Sequence, residues 1–320
     1  MKRFHDTIWK EIIVDDLALQ LIDTVEFQRL HYIKQTGLLY KVFQTASHTR
    51  FQHSLGTYHV TRLFLSKLQE NSIQELGISE RTKQLISIAA LCHDIGHGPF
   101  SHMFDELLSC QENVKIPKKH EERSCVIFRD IVQKYNISIN QEEVAFVCSC
   151  IANPNPCHWF ELIVNNSVCH LDVDKIDYLL RDSYHIGLSC NFEITRILNN
   201  IMIHDQKLVL CDKIKYDINN LFRMRRELHE NIYRHQVVEK FQAFLLENLI
   251  QNGFQVDSME HFLNLSDYSI LMTMNPIQRI QFETRSWFDF STEINVHYKD
   301  EQQQEAEKRI VWFRRKELFK

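Results

Sequence analysis

The chain has 320 residues, of which 44% are hydrophobic and 25% are charged, and its formal net charge is −5. This composition is that of an ordinary globular protein and gives no indication of a nucleic-acid binder, so a nucleic-acid partner is unsupported. Only 7 glycines and 5 prolines argue against a loop-rich or β-sandwich protein and favour long helices.

Cysteine usage and the opening residues predict the compartment. The 9 cysteines cannot all pair internally, because their number is odd. The start MKRFHDTIWKEI lacks the apolar core of a signal peptide, and no window approaches the roughly 18 unbroken apolar residues of a membrane span. We therefore expect a soluble intracellular protein, cytoplasmic or nuclear, with reduced thiols and no membrane partner.

A zinc site is the alternative for one group of thiols and imidazoles that falls within 23 positions. Their spacings match no common structural zinc pattern, so we favour buried free cysteines. The group comprises Cys148, Cys150, Cys157, His158, Cys169 and His170.

The beginning of the chain predicts a short leading element and then helices. Residues 4–11 predict a turn or strand, and residues 17–32 predict two short helices. Residues 45–68 begin polar and become a helix, which carries Arg50 and His53 near its start.

The most informative stretch is residues 91–102, LCHDIGHGPFSH. Ser79 should cap the helix that leads into it, and the apolar run 84–92 predicts that this helix is buried. Burying the polar groups that follow is costly unless a charged or hydrogen-bonding partner meets them. A metal ion is one such partner, and a capped helix end with structural histidines is the alternative. The metal-capable or proton-transferring residues are His93, Asp94, His97 and His102.

Helical spacing places several polar groups of residues 171–185 on one face. Asp174, Tyr178 and Asp182 lie at i, i+4 and i+8, and Lys175 lies beside them. Such a face is typical of ordinary solvated ion pairs, and it equally suits a ligand site near a metal.

The next part of the chain predicts a small hairpin and a long helix. Residues 207–211 alternate in hydrophobicity, and a helix should then run from about residue 218 to residue 252. Arg225, His229 and Tyr233 share one stripe of that helix. The stripe suits a polyanion such as phosphate, although a solvated basic face is the simpler interpretation from spacing alone.

The end of the chain predicts a helix near residues 257–274, a break at Asn275-Pro276, and then helix-like basic sequence. We predict a mostly α fold with one small β-hairpin and a short mixed C-terminal tail. Residues 1–254 should form the core, and residues 255–320 should form a helical extension of the same domain.

Two imidazoles and two carboxylates from three predicted helices form a nitrogen and oxygen donor set. Such a set suits a divalent ion such as manganese, iron, zinc or magnesium. Separation along the sequence cannot by itself bring the four groups together. The set comprises His53, His93, Asp94 and Asp174.

The order H…HD…D resembles the HD-domain phosphohydrolases. From about residue 2 to the end, the wider sequence closely resembles the sterile-alpha-motif-and-HD-domain deoxynucleoside triphosphate triphosphohydrolases. The HD pair alone is a weak signal, but GHGPFSHMFD together with DVDKIDY is highly specific. The matching phrases are IDTVEFQRLHYIKQTG, ASHTRFQHSLG, LCHDIGHGPFSHMFDE, HEERS, DVDKIDYLLRD and RELHENIYRHQV.

The resemblance implies a helical HD fold, a divalent metal on the donor set above, and roles for individual residues. His120 matches the catalytic histidine, with Glu121 beside it. His97 and His102 match histidines that contact the triphosphate, and Asp105 matches a carboxylate that orients His102. The implied triphosphate contacts are Arg50, Lys175 and Arg225, and the implied sugar and pocket residues are Gln35, Tyr178, Asp182, His229 and Tyr233.

The sequence also departs from the family pattern. Thr36 replaces a leucine near the 2′ carbon of the sugar, and Arg234 replaces a glutamine at the base. At the family's regulatory site an arginine is replaced by His31, and the chain stops where the family's C-terminal lobe would begin. The resemblance nevertheless implies a GTP or dNTP activator and a homo-oligomer, a dimer or a tetramer. The matching regulatory residues are Lys2, Asp23, Gln28 and Lys320.

The leading hypothesis is metal-dependent hydrolysis of a deoxynucleoside triphosphate to the deoxynucleoside and inorganic triphosphate. His102 or His120 would transfer a proton to the leaving 5′-oxygen. One alternative is an HD phosphohydrolase that acts on a ribonucleotide, a monophosphate or a cyclic dinucleotide. Another is a nucleotide- or nucleic-acid-binding protein that has lost hydrolysis.

Overall fold

The computed structural model describes residues 1–72, 76–152, 155–156, 158–286 and the backbone of residues 311–313. Within these residues the fold is predominantly helical, with two small sheets. The predicted mostly α fold is confirmed. No described helix combines the length and the hydropathy that a membrane span requires.

The chain opens with an antiparallel hairpin of β1 (Lys2–Asp6) and β2 (Lys10–Val14), where the sequence predicted only a turn or strand. The side chain of Asp6 closes the turn, because its Oδ1 accepts hydrogen bonds from the backbone N–H groups of Ile8 and Trp9. Its Oδ2 lies 2.8 Å from the guanidinium of Arg181, which joins the hairpin to a helix far along the chain.

Four helices and a 3₁₀ turn follow, largely as predicted. Ser79 caps the fourth helix, since its side chain accepts a hydrogen bond from the N–H of Thr82. The third is the central helix of the fold: all residues from His53 to Tyr58 are buried, because neighbours pack around it on every side. These elements are α1 (Asp16–Ile22), α2 (Val25–Gln28), the 3₁₀ turn Arg29–Tyr32, α3 (Arg50–Asn71) and α4 (Glu80–Cys92).

The middle of the chain packs further helices around α3. One of these helices, α8 (Val173–Ile186), packs directly against α3, as α4 does. This arrangement brings three sequence-distant segments to one point. The helices are α5 (His102–Ser109), α6 (His120–Lys134), α7 (Gln141–Ala152), α8 (Val173–Ile186) and α9 (Ile194–Leu198).

The predicted hairpin near residues 207–211 is confirmed. Strands β3 (Ile201–His204) and β4 (Lys207–Cys211) pair antiparallel, and β5 (Val311–Phe313) adds to β4 in parallel.

The single long helix predicted for residues 218–252 is wrong. It is three segments: α10 (Lys215–Glu227), a π-helix (Leu228–Tyr233) and α11 (Gln236–Gln251). Arg234 and His235 interrupt the helix without glycine or proline. The imidazole of His235 begins α11 by accepting a hydrogen bond from the N–H of Val237, so the break is made by a side-chain cap.

The C-terminal part also differs from its prediction. The one helix expected near residues 257–274 is two helices, because the Ser266 side chain caps a new start by accepting from the N–H of Ser269. The predicted break at Asn275-Pro276 is confirmed, with Asn275 as the cap of the last helix. The helices are α12 (Met259–Leu263), α13 (Asp267–Thr273) and α14 (Pro276–Thr284).

The carboxylate of Asp267, the first residue of α13, is buried against the core. It accepts hydrogen bonds from the backbone N–H of Lys34 at 2.9 Å and of Phe100 at 2.7 Å. Burial raises the pKa of Asp267 from 3.8 to about 6, although these hydrogen bonds and the charges of Lys34 and Arg29 oppose the rise.

We expect this carboxyl to make the folded protein less stable as the pH rises from about 4 to about 7. The folded protein holds the proton on Asp267 to higher pH than the unfolded chain, so stability is lost as the pH rises through the folded pKa. The difference between a pKa of 3.8 and one of about 6 corresponds to about 3 kcal/mol. Urea unfolding of the unchanged protein and of Asp267→Asn across this pH range measures the free energy of unfolding of each. If the difference between their two free energies does not vary with pH, the prediction is wrong.

Cysteine placement agrees with free thiols rather than zinc. Cys148, Cys150 and Cys169 are buried, and each has a free thiol rather than a disulfide bond. Among the described residues, no cysteine belongs to a metal-capable cluster. Cys157 lies outside the described part of the chain.

Candidate metal centre and adjoining cavity

Three segments of the fold bring the predicted donor set together. His53 lies one turn inside α3, His93 and Asp94 follow the end of α4, and Asp174 lies in the first turn of α8. The Nε2 atom of His53 is 3.3 Å from Nε2 of His93, 3.0 Å from Asp174 Oδ1 and 3.5 Å from Asp94 Oδ2. The four side chains therefore converge on one point.

The second nitrogen of each imidazole is fixed by an acceptor. Nδ1 of His53 lies 2.8 Å from the carboxylate of Asp177, and Nδ1 of His93 lies 2.7 Å from the carbonyl oxygen of Ala90. Because a carboxylate and a carbonyl can only accept, each neutral ring carries its proton on Nδ1. Each Nε2 atom then directs a lone pair toward the other ring and toward the carboxylates.

This arrangement fits a metal cation. Two lone pairs and two carboxylates facing one another repel unless a positive charge lies among them, and imidazoles oriented through Nδ1 are typical of metal ligands. Burial alone would lower the pKa of His53, but hydrogen bonds to Asp174 and Asp177 and the charge of Asp94 outweigh it and raise that pKa to about 10. The site thus favours a cation at the imidazole nitrogens, and His53, His93 and Asp94 form a metal-capable cluster.

A buried ion-pair network holds Asp177, which the sequence did not single out. The Asp177 carboxylate accepts from Nε and Nη2 of Arg181 at 2.8 and 3.0 Å and from the indole N–H of Trp9 at 2.6 Å. Gly56 leaves the space for this network, since a Cβ there would collide with the side chains of both Asp177 and Arg181. Gly56 and the third acid of DVDKIDY, which is Asp177 itself, were the available signals for this network.

A second cluster of titratable side chains adjoins the first. The rings of His97 and His120 stack with centroids 3.9 Å apart, and Nε2 of His97 lies 3.3 Å from Asp94 Oδ1. The resemblance assigned Asp105 to the orientation of His102. In the structure the Asp105 carboxylate instead lies 2.8 Å from Nδ1 of His120 and 4.0 Å from Nδ1 of His102, because the α5 turn directs it toward the start of α6.

Arg123 anchors this second cluster, and sequence reasoning did not identify it. Its guanidinium is fully buried and forms an ion pair with Asp105. It also donates to the carbonyl oxygens of Gly96 and Lys118 at 2.8 Å each. Arg123 therefore ties α6 to the loop that follows the metal-ligand candidates, while Glu121 lies at the edge of the cluster, 3.5 Å from His120.

A cavity of about 620 Å³ extends from the two clusters toward α11. This volume is within the range of small-molecule pockets. Among the lining residues, Met103, Glu106, Glu239 and Gln242 were not identified from the sequence. The predicted residues that line it are Gln35, Thr36, Arg50, Asp94, His97, His102, His120, Asp174, Tyr178, Asp182, His229, Tyr233 and Arg234.

Two of the implied triphosphate contacts are not among the lining residues. Lys175 is buried and forms an ion pair with Asp172 at 2.6 Å, so its charge is already paired within the protein. Arg225 is also not among the lining residues. Burial raises the pKa of Tyr178, and the positive charge of Arg225 partly opposes that rise, so Arg225 lies close enough to act on this lining residue. Arg50 is the implied contact that the structure places at the cavity.

Asp182 also lines the cavity, and each of its two carboxylate oxygens is held by a neighbouring side chain. The hydroxyl of Tyr233 donates to its Oδ2 at 2.6 Å, and Nε2 of His48 lies 2.7 Å from its Oδ1. His48 is buried and stacks on His185 with ring centroids 4.3 Å apart. Sequence reasoning missed His48, although it lies within the phrase ASHTRFQHSLG.

Two polar atoms in the same wall have no hydrogen-bond partner. The amide oxygen Oε1 of Gln35 and the hydroxyl of Thr36 are both buried, and neither contacts a donor or acceptor in the structure. Unpaired buried polar atoms are costly, and in a cavity wall they are free to bind a hydroxyl group of a ligand.

Of the regulatory residues implied by the resemblance, the three that the structure describes are not among those that line this cavity. Lys2 is exposed in β1, Asp23 is exposed after α1, and Gln28 donates to the carbonyl of Ile22. His31, which replaces the family arginine, stacks on Phe51 with centroids 3.6 Å apart. Lys320 lies outside the described residues.

Residues 50–153 match the HD domain family. The chain is 36% identical over 302 residues to the HD domain-containing protein L394 of Acanthamoeba polyphaga mimivirus, covering 86% of this chain and 65% of that protein. It is 32% identical over 276 residues to the deoxynucleoside triphosphate triphosphohydrolase SAMHD1 homolog of Dictyostelium discoideum, covering 83% and 53%. It is 35% identical over 283 residues to deoxynucleoside triphosphate triphosphohydrolase SAMHD1 of Homo sapiens, covering 79% and 44%. The matched part of the chain thus spans between 44% and 65% of the length of these relatives.

Proposed function

We propose that this chain, whose residues 50–153 match the HD domain family, is a metal-dependent phosphohydrolase that converts a deoxynucleoside triphosphate to the deoxynucleoside and inorganic triphosphate. One observation carries the proposal. Asp94 and Asp174 of the donor set line the same cavity as the Asp182–Tyr233 pair, and Arg50, His97, His102 and His120 line it as well. The names of two relatives support the choice of substrate.

His53, His93, Asp94 and Asp174 would hold a divalent ion, with manganese, iron, zinc and magnesium all compatible with these ligands. When bound, such an ion supplies Lewis-acid stabilisation of charge on a phosphoryl oxygen and favours the ionised form of water. His53 and His93 contribute neutral nitrogen donors because Asp177 and Ala90 fix their tautomers.

Arg50 would bind the phosphates. Arg50 is 4% exposed, and its guanidinium is held by Asp94, by the hydroxyl of Ser101 at 3.0 Å and by the carbonyl of Gln35 at 3.0 Å. A buried and preoriented guanidinium stabilises phosphate charge strongly. His97 and His102 would line the same region of the triphosphate.

His120 would supply the proton for the leaving group. Attack of water on the α-phosphorus breaks the bond to the 5′-oxygen, and that oxygen then takes a proton. The Asp105–His120 pair resembles the oriented acid–base pairs of other hydrolases, because the carboxylate fixes Nδ1 and leaves Nε2 for proton transfer. This geometry favours His120 over His102, whose side chain is 75% exposed and farther from Asp105.

Asp182 would accept a hydrogen bond from the 3′-hydroxyl of the sugar. Each of its oxygens already accepts one protein hydrogen bond, and each keeps a second lone pair for the ligand. Tyr178 and Gln35 would pack around the ring, with His229 and Arg234 toward the base.

A ribonucleoside triphosphate is the second candidate substrate. The unpaired buried atoms of Gln35 and Thr36 favour it, since a 2′-hydroxyl placed beside them could bond to both. The discrimination between ribose and deoxyribose would then be weak, because a site that can bond a hydroxyl does not reject it.

We also propose, from the resemblance, that a GTP or dNTP activator binds near Lys2, Asp23 and Gln28 and that the chain forms a homo-oligomer. Light scattering with and without GTP tests both points.

A chromatographic product assay tests the proposed reaction. The protein is incubated with Mn²⁺ or Mg²⁺ and each of the four deoxynucleoside triphosphates, with and without GTP, and with ATP and GTP as ribose controls. We expect deoxynucleoside and intact triphosphate in equal amounts. Release of monophosphate and pyrophosphate, or no product with any of these nucleotides, would overturn the proposal. Equal rates for ribose and deoxyribose substrates would support the second candidate.

A further inference from the structure

Helix α13 contributes a carboxylate to two loops that build the cavity wall. The two oxygens of Asp267 accept from the N–H groups of Lys34 and Phe100 at 2.9 and 2.7 Å. Lys34 immediately precedes Gln35, and Phe100 immediately precedes Ser101, both of which line the cavity. The side chain of Asp267 therefore fixes two wall segments that are far apart in sequence.

These two loops adopt conformations that need an external restraint. Phe100 and Ser101 have φ values of 56° and 59°, a left-handed region that is unfavourable for residues with side chains. Gly37 has a φ of 56°, and a Cβ at that position would lie 2.9 Å from the carbonyl oxygen of Phe100. The loops are thus pressed closely together, and the Asp267 carboxylate holds a backbone N–H group of each.

The hydrogen bonds continue from the loops to the phosphate-binding arginine. The hydroxyl of Ser101 donates to the carbonyl of Lys34 at 2.8 Å and accepts from Nε of Arg50 at 3.0 Å. Nη2 of Arg50 donates to the carbonyl of Gln35 at 3.0 Å. The backbone of Lys34 is consequently held at its N–H by Asp267 and at its carbonyl by Ser101. Ser101 and Gln35, the residue after Lys34, each accept a hydrogen bond from the guanidinium of Arg50.

We propose that Asp267 is a positioning residue for triphosphate binding: its carboxylate fixes the two loops whose Ser101 and Gln35 orient Arg50 toward the ligand. The proposal rests on the proposed function, because it assumes that Arg50 binds phosphate. Asp267 itself does not touch the substrate. The C-terminal helices thereby contribute to the binding site through hydrogen bonds rather than only through the stability of the fold.

Asp267→Asn tests the proposal with little change in shape. Asparagine offers one carbonyl oxygen and one NH₂ group, so one of the two backbone N–H groups loses its acceptor and faces a donor. The matched control is Asp257→Asn, which removes an exposed carboxylate that makes no hydrogen bond or ion pair with any residue the structure describes. Both variants and the unchanged protein are loaded with Mn²⁺, and their metal content is measured.

Two quantities are then compared: the Kd for inorganic triphosphate by calorimetry, and KM for the deoxynucleoside triphosphate that the unchanged protein hydrolyses fastest. We expect Asp267→Asn to weaken both by about tenfold or more, with metal content and the Asp257→Asn values unchanged. Urea unfolding first establishes the conditions in which every variant is fully folded, because a populated unfolded state would itself raise the apparent Kd and KM. Under those conditions a purely structural role would leave Kd and KM unchanged. That result would overturn the proposal.

A double variant shows whether the effect passes through Ser101. We expect Ser101→Ala and Asp267→Asn to weaken triphosphate binding less in combination than the product of their separate effects, because both act on the same loop. Full multiplication of the two effects would contradict the proposed route. If the unchanged protein binds triphosphate but releases no product, the proposed function fails and the Kd comparison still decides the role of Asp267. If it binds no triphosphate, both proposals are overturned.

Discussion

Replacing Asp174 by alanine should remove the bound metal and abolish turnover. Asp174 Oδ1 lies 3.0 Å from Nε2 of His53 and 3.5 Å from Nε2 of His93, so this carboxylate closes one side of the donor set. Without it, two imidazoles and Asp94 remain, and Asp94 is already paired with Arg50. We expect a fall in kcat of at least about 10³-fold, because charge stabilisation by a metal is worth several kcal/mol.

The measurement is metal content by elemental analysis together with product formation at saturating substrate. Asp257→Ala is the control, since it removes an exposed aspartate outside the site. Circular dichroism confirms that the variant keeps its helices. Wild-type turnover in Asp174→Ala would defeat the assignment of this residue, and lost turnover with full metal content would give it a different role.

Replacing His120 by glutamine should reduce kcat by about 10² to 10⁴-fold and leave metal content unchanged, as expected for the loss of a proton-transferring group. The imidazole is oriented through Nδ1 by Asp105 at 2.8 Å and stacks on His97. Glutamine keeps a hydrogen-bonding side chain, but its amide does not act as a general acid or base near neutral pH.

His102→Gln is the matched comparison, because both histidines line the cavity and only His120 is held directly by Asp105. We expect its kcat to fall less than that of His120→Gln, and we expect Asp105→Asn to act mainly through His120. Single-turnover measurements with Mn²⁺ separate the chemical step from product release. A larger loss in His102→Gln would transfer the proton-donating role to that residue.

Local patterns in the sequence predicted much of the helical framework. The helix that leads into His93, the cap at Ser79 and the helix that carries Asp174 each depend on residues within a few positions of one another. The N-terminal hairpin was less evident because its two strands are short and largely polar. The long helix failed because its interruption comes from the side chain of His235 rather than from a glycine or proline.

The site was predicted less completely, because its supporting contacts join distant parts of the chain. The donor set and the cavity residues were identified from resemblance, and the structure brings most of them together. Asp177, Arg123 and Asp267 were not singled out, since each acts by a hydrogen bond whose partner is revealed only by the fold. Lys175 shows the converse: helical spacing placed it beside Asp174, but its side chain pairs with Asp172.

The π-helix Leu228–Tyr233 makes the register of one cavity wall depend on local helix geometry. A π turn contains about one more residue than an α turn, because its hydrogen bonds join residues five apart rather than four apart. Converting these same residues to α geometry would rotate the side chains that follow by about 100° around the helix axis. Tyr233 would then lose its hydroxyl contact with Asp182. A chain in which this segment is an ordinary α-helix of the same length should therefore bind the sugar differently, even where every side chain of the wall is the same.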